Sequence, residues 1–214
     1  MDTLYCGIDL HSNNNVVVVS NDEDEVVYRK RLRNEADTVL NALAPFSANL
    51  DGVVVESTYN WYWLVDALMD HGHQVHLANT GAIQKYSGLK HADDESDARW
   101  LATLLRLKIL PEGYIYPKEG RPVRDLLRKR MFLVSDRTSH LLSVMNLFTR
   151  NTGRRVSANA IKRLSDDDVD EMLPNADLSL AVKSSIAVMR CLDEQIKKVE
   201  KTALERVRIH PNYE

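Results

Sequence analysis

The chain has 214 residues, of which 44% are hydrophobic and 28% are charged, a composition typical of a folded globular protein. It contains no apolar stretch long enough to span a bilayer and lacks the basic segment and apolar run of a secretory signal, which excludes a membrane protein. Its two cysteines, Cys6 and Cys191, are far apart, which favours a reducing cytoplasm over a disulfide framework.

The charge is distributed unevenly along the sequence. The net charge is −3, but residues 1–100 carry 7 basic and 16 acidic side chains, whereas residues 118–163 carry 12 basic and 3 acidic ones, a local charge of +9. Such a basic block is typical of a surface that contacts a polyanion, because each cation placed on a phosphate releases condensed counterions. The alternative is a solvated helix face.

Hydrophobic runs separated by turn residues predict an α/β domain in the first half, with the element order βββαβαβα. The continuous apolar run before Glu56 is typical of a buried central strand. The predicted elements are strands at 6–10, 16–19, 26–32, 52–56 and 74–78, and helices that follow a cap at Asn34, follow capping residues 57–60, and begin near Asp94.

Beyond Pro117 strand-like runs disappear and helical periodicity predominates. The pattern predicts a long helix up to a break at residues 151–153, a turn between Asp166 and Pro174, and a final helix over residues 180–199. These helices pair with each other or with a second copy of the chain, and the sequence leaves both options open. The predicted domains are residues 1–117 and 118–214.

Four acidic residues occupy positions where burial is expected: Asp9, Glu56, Asp94 and Asp97. Asp9 interrupts the first strand and Glu56 ends the central one. Asp94 and Asp97 share a helix face with three leucines. Buried carboxylates that come together require protons, basic partners or a metal ion, and oxygen ligands select Mg²⁺ or Mn²⁺ rather than Zn²⁺.

Each acid also has an ordinary explanation. Asp9 fits a turn, Glu56 fits a helix cap, and Asp94 or Asp97 fits a helix N-terminus, where a negative charge is favoured. Asp93 lies at the edge of the apolar stripe, so geometry alone does not separate it from Asp94. The joint placement of four acids on this element order is what favours a metal site.

Four short motifs carry a family resemblance: GIDLHS at residues 7–12, VESTYNW at 55–61, DESDA at 94–98 and RNTG at 150–153. They resemble the DEDD transposases of bacterial insertion sequences, of the insertion-sequence-110 type, which are similar to the Piv site-specific invertases. The resemblance implies a RuvC-like ribonuclease H fold followed by an α-helical coiled-coil region. It also implies that Asp9, Glu56, Asp94 and Asp97, with Asp94 rather than Asp93, are catalytic and hold Mg²⁺ or Mn²⁺.

The resemblance further implies partners. These are DNA, a structured guide RNA, and further copies of the chain in a dimer or tetramer assembled through the helical region, in the bacterial cytoplasm in association with the nucleoid. Family members carry an additional C-terminal domain with a nucleophilic serine, and this sequence stops before it. We therefore expect DNA strand cleavage and exchange to need more than this chain alone.

Nine basic residues are candidates for nucleic-acid contacts: Lys85, Lys90, Arg121, Arg124, Arg128, Lys129, Arg130, Arg154 and Arg155. Arg124 and Arg128, one helical turn apart, also fit a solvated face balanced by Asp125. Three other functions are alternatives for a sequence of this kind. A junction-resolving nuclease of the same fold needs metal alone, an actin-like kinase needs a small residue after Asp9 where Leu10 stands, and a non-catalytic assembly protein needs only the helices.

Overall fold

The structure is a computed structural model that describes residues 2–83 and 94–208, without the side chains of Asp94, Glu95 and Arg208. The chain forms two compact units, residues 1–115 and 116–214. The division predicted from the sequence falls two residues later. The functions assigned to the two parts stay predictions.

The first unit is built on a single described sheet. Its elements are β1 (Leu4–Leu10), β2 (Asn14–Ser20), β3 (Val26–Arg33), α1 (Ala36–Leu43), a 3₁₀ turn (Ala44–Phe46), β4 (Leu50–Glu56), α2 (Tyr62–Asp70), β5 (Val75–Ala78), α3 (Thr80–Ile83) and α4 (Asp94–Arg106). The strand order is β3-β2-β1-β4-β5, in which β1, β2 and β3 are antiparallel and β4 and β5 run parallel to β1. This confirms the predicted α/β fold of the RuvC type.

The two faces of the sheet have different coverings. Ile8 of β1 and Val55 of β4 belong to a large apolar cluster that includes Val39 and Leu43 of α1 and Leu64 of α2. On the opposite face, the alternate residues of the same strands pack against Leu101 and Leu105 of α4. Since successive residues of a strand point to opposite faces, the pleat determines which side chains α4 covers.

Two predicted helix caps are wrong. The residue that precedes α1 is Glu35 rather than Asn34, and α2 is preceded by Trp61 without a side-chain cap. Asn34 and Asn60 instead donate hydrogen bonds to the backbone carbonyl of His11. Amides suit both roles, and the tertiary contact with the turn after β1 takes the place of the local cap.

The second unit is helical. It contains α5 (Arg121–Thr152), α6 (Ala158–Ile161), α7 (Asp166–Met172) and α8 (Ala176–Arg208). The turn predicted between Asp166 and Pro174 is wrong over residues 166–172, where a capping box between Ser165 and Asp168 starts α7. It is present at residues 173–175, between α7 and α8. The predicted break after α5 is present, where Gly153 adopts a φ of 70°.

The long helices α5 and α8 pack against each other in antiparallel orientation. Val144 and Phe148 of α5 are buried with Val182 and Ile186 of α8. Two ion pairs join the helices, between Arg130 and Glu200 at 2.6 Å and between Arg137 and Asp193 at 2.5 Å. The apolar stripe is therefore at least partly buried within one copy of the chain.

The contact between α7 and α8 makes the stability of this unit depend on pH. Asp170 accepts hydrogen bonds from Lys183 Nζ at 2.6 Å and from Ser179 Oγ at 2.5 Å. Lys183 first, and Ser179 second, hold the pKa of Asp170 below its ordinary value of 3.8. Because the folded state has the lower pKa, this contribution is complete above pH 3.8 and is lost as the pH falls through the folded pKa.

We expect Asp170→Asn to lower the urea midpoint of the second unit at neutral pH and to differ progressively less from the wild type below pH 3.8. Asp167→Asn, on the exposed first turn of the same helix, is the matched control. A difference between Asp170→Asn and wild type that does not shrink on acidification would contradict the assignment.

Candidate metal centre

Asp9 is the second-last residue of β1, and Glu56 ends the neighbouring strand β4. In the parallel ladder of β1 and β4, Ile8 pairs with Val55, so the next residue on each strand is one of the two acids. Strands in a ladder lie roughly 4.8 Å apart. The carboxyl ends of β1 and β4 therefore place Asp9 beside Glu56.

Both acids lie on the face of the sheet that α4 covers. Tyr5 and Val54 pack against Leu101 and Leu105 of α4. Asp9 follows Tyr5 by four residues and Glu56 follows Val54 by two, so each keeps the face of its strand neighbour. The acid near the end of each of these apolar strands therefore points toward α4, a helix whose first residues are acidic.

The helix α4 touches the backbone of β1 at Gly7. A Cβ built on Gly7 would lie 1.9 Å from the carbonyl oxygen of Ala98 and 2.9 Å from the backbone nitrogen of Ala102. Asp97, the residue before Ala98, is half-buried at this contact. The close approach brings the helix that carries Asp94 and Asp97 over the strand that carries Asp9. Of Asp94, the described part is its backbone, at the first position of α4.

Asp9 is the most buried of the predicted acids with a described side chain, at 4% exposure. Its Oδ2 atom lies 3.4 Å from Nε2 of His11, but makes no hydrogen bond with any residue that the structure describes. A buried carboxylate oxygen in this condition is costly unless another group approaches it. This is the observation that fits a cation.

The described side chains do not complete a metal site by themselves. Within residues 2–83 and 94–208, no three histidine, cysteine, aspartate or glutamate side chains are grouped closely enough to hold a metal ion. The side chain of Asp94, the fourth predicted ligand, lies outside the described residues, as does Asp93. The donors that are described, Asp9, Glu56 and Asp97, offer the oxygen ligands that Mg²⁺ and Mn²⁺ prefer.

An asparagine network fixes the turn that follows Asp9. The carbonyl of His11 accepts hydrogen bonds from Nδ2 of Asn60 at 2.9 Å and from Nδ2 of Asn34 at 3.0 Å. Asn15, fully buried, donates to Oδ1 of Asn34 at 3.0 Å, and Thr58 donates to Oδ1 of Asn60 at 2.8 Å. The network ties the loop after Glu56 to the loop after Asp9, and so fixes the two acids relative to each other.

Because both amides donate to one carbonyl, we expect Asn34→Ala and Asn60→Ala each to cost about 0.5–1 kcal/mol of unfolding free energy. The double variant should cost more than the sum, by about 1 kcal/mol, since the carbonyl then loses both side-chain donors. Urea unfolding of the four proteins measures this coupling. Strict additivity would show that the two amides act independently.

A second contact orients α4. Asp24, in the turn between β2 and β3, accepts hydrogen bonds from Arg99 at 2.7 Å and from Thr103 at 2.8 Å. Asp24 has a φ of 66°, a left-handed conformation that aspartate tolerates better than most residues. The helix is therefore held at Gly7 and at Asp24, and both contacts were missed by the sequence analysis.

The predicted nucleic-acid contacts are placed unevenly. Arg128, Arg154 and Arg155 are exposed on the second unit. Arg121 is buried and donates to the carbonyl of Tyr116 at 2.7 Å. Its guanidinium therefore fixes the start of α5 and is not presented to a nucleic acid. The remaining predicted cations are Arg124 over the ring of Tyr116, Lys129 over the ring of Phe132, Arg130 paired with Glu200, and Lys85 and Lys90, which lie outside the described residues.

The fold of the first unit, a mixed sheet with an antiparallel β1–β3 meander and parallel β4 and β5, defines a RuvC-like domain of the ribonuclease H type. The model of the DEDD transposases of the IS110 type, described as Transposase, matches residues 6–150. The chain belongs to this family of DNA-processing enzymes, as its motifs predicted. A comparison with curated proteins gives no match. No described helix has the length and hydropathy of a membrane span.

Proposed function

We propose that the chain is the RuvC-like and helical part of an insertion-sequence transposase that cleaves and exchanges DNA strands with the help of Mg²⁺ or Mn²⁺. The observation that carries the proposal is the buried carboxylate of Asp9, which lies beside the end of β4 and beneath the acidic helix α4. Asp9, Glu56, Asp94 and Asp97 would hold the ion.

The chemistry divides between the ion and the protein. When bound, the ion stabilises negative charge on the transferring phosphate and on its attacking and leaving oxygens. Asp9 and Glu56 would supply ligand oxygens from rigid strand ends. Because these side chains are positioned before the reaction, they lose no conformational freedom when it takes place. The asparagine network fixes the turn after Asp9. The packing of Gly7 against α4 fixes the distance between the sheet and the helix that carries Asp94 and Asp97.

The helical unit is assigned the assembly role. Several large apolar side chains stay exposed on it, and the most exposed of those described are Met131 at 68%, Leu180 at 65% and Phe132 at 57%. Side chains of this kind support association with further copies of the chain, in a dimer or tetramer. A structured guide RNA and the basic residues of the second unit complete the proposal, which places the protein in the bacterial cytoplasm with the nucleoid.

The proposal is tested by strand cleavage. We expect the chain, supplied with RNA transcribed from the element and with the serine-bearing C-terminal domain of a family member, to nick DNA that carries an end of the element in Mg²⁺ and not in EDTA. Asp9→Asn should be inactive in both, and cutting by the chain without that domain would favour a junction-resolving nuclease. Cleavage that persists in EDTA or in Asp9→Asn would contradict the metal site. If the wild type binds this DNA but does not nick it in Mg²⁺, the chain acts as an assembly protein instead.

A further inference from the structure

The strand β3 carries a concentrated basic patch. Four of the seven lysine and arginine residues within residues 1–100 are Arg29, Lys30, Arg31 and Arg33, in a segment that is otherwise acidic. All four are exposed, and β3 forms one edge of the described sheet. The patch therefore borders solvent along the length of the strand.

Three of these cations lie on the face of the sheet that holds the carboxylates. Tyr28 and Leu32 pack into the apolar cluster on the opposite face, so Arg29, Arg31 and Arg33 alternate onto the α4 face. The ladder registers agree with this assignment. Asp9 pairs with Val16, and Val16 pairs with Arg31, which puts Asp9 and Arg31 in one row across the sheet.

The row sets the distance between the patch and the proposed metal site. Asp9 and Arg31 are separated by two strand spacings, which is roughly 10 Å between backbones. Arg31 is also directed toward the end of the sheet where Asp9 lies, since its Nη1 donates to Oδ1 of Asn14 at 2.8 Å, at the start of β2. A polyanion bound along β3 therefore passes within a few nucleotides of Asp9.

The chemistry of the patch fits a phosphate backbone. Alternate residues of a strand are roughly 6.7 Å apart, close to the separation of successive phosphates along one nucleic-acid strand. Arginine binds phosphate through two parallel hydrogen bonds. A cation that only protects the edge of a sheet from pairing with another strand does not need this geometry. We propose that Arg29, Arg31 and Arg33 bind the backbone of the DNA strand whose phosphate reaches the carboxylates; this rests on the function proposed above.

The test compares DNA binding by charge-matched variants. A fluorescein-labelled duplex is titrated in EDTA against the wild type, the triple variant Arg29→Gln, Arg31→Gln, Arg33→Gln, and the triple control Lys197→Gln, Lys198→Gln, Lys201→Gln on the exposed surface of α8. We expect the arginine triple to bind about tenfold or more weakly, with a salt slope smaller by about 2 to 3, and the control to bind like the wild type.

A single-residue pair tests the face. Arg31→Gln should weaken DNA binding, whereas Lys30→Gln, on the same strand but the opposite face, should do so by less than twofold, about the limit of the measurement. Equal losses of DNA affinity in Arg31→Gln and Lys30→Gln would overturn the inference. So would a triple arginine variant that keeps its affinity for DNA but loses affinity for RNA of the same sequence.

The failure of this inference is distinct from failure of the proposed function. The arginine triple keeps all four acids, so it should bind Mn²⁺ in calorimetry as the wild type does. A wild type that binds no Mn²⁺ even with DNA present refutes the metal site. A triple variant with both normal Mn²⁺ affinity and normal DNA affinity refutes the arginine patch alone.

Discussion

Asp9→Asn is expected to abolish stabilisation of the chain by Mn²⁺ and, at the same time, to raise its stability in EDTA. A ligand at a hundred times its dissociation constant stabilises a folded protein by about 2.7 kcal/mol. Loss of a group that only supports a metal ligand costs about 10–100-fold in affinity, and loss of the ligand itself should cost more. Thermal unfolding with and without Mn²⁺ measures both effects.

The gain in EDTA has a separate cause. The Oδ2 atom of Asp9 is buried without a hydrogen bond to any described residue, and an amide removes the charge while keeping the shape. We expect a gain of about 1 kcal/mol, which corresponds to roughly 2–4 °C for a chain of this size. Asp51→Asn, at the exposed start of β4, is the control and should change neither quantity. A loss of stability in EDTA equal to that of a core substitution would mean that Asp9 is structural.

Gly7→Ala is expected to have the largest effect on the fold. The added Cβ would meet the carbonyl oxygen of Ala98 at 1.9 Å, and this atom belongs to the backbone of α4, so no side-chain rotation relieves the clash. Overpacking usually costs about 1–3 kcal/mol, and displacement of a whole helix places this substitution at about 3 kcal/mol or above. Since the displaced helix carries Asp97, Mn²⁺ affinity should fall as well.

The matched control is Gly113→Ala, where the nearest atom to the added Cβ is the carbonyl oxygen of Leu77 at 3.5 Å, an ordinary contact. Its effect should stay within about 0.5 kcal/mol. Urea unfolding and Mn²⁺ calorimetry on the same preparations separate the two consequences. If Gly7→Ala unfolds like the control, α4 does not lie against β1 as the structure has it.

The sequence was most informative where packing and local pattern agree. Apolar runs predicted β1, β2 and β4 because a strand that is buried on both faces needs them, and Asp9 and Glu56 were found because they interrupt those runs. The predicted ends of the strands were less accurate. The strand β4 begins at Leu50 rather than at Gly52, because its pairing with β1 extends it by two residues. The short helices α3, α6 and α7 were missed since a few residues give too little periodicity to recognise.

The missed contacts depend on residues far apart in sequence. Asn34 and Asn60 are ordinary capping residues in sequence terms, and only the fold brings both to the carbonyl of His11. Gly7 was recognised within a motif but not as the point where α4 meets β1. Arg29 and Arg31 of β3 formed part of a predicted strand and Arg33 followed it directly, yet the face on which they lie became known only from the ladders that join Arg31 to Asp9 through Val16.

The most direct test of the metal site is a calorimetric titration of Mn²⁺ into the whole chain, in parallel with Asp9→Asn and Asp51→Asn. We expect saturable binding by the wild type and by Asp51→Asn, and none by Asp9→Asn. Binding that survives in Asp9→Asn, or no binding by the wild type even with DNA present, would contradict the claim that the acids of β1, β4 and α4 hold a divalent ion.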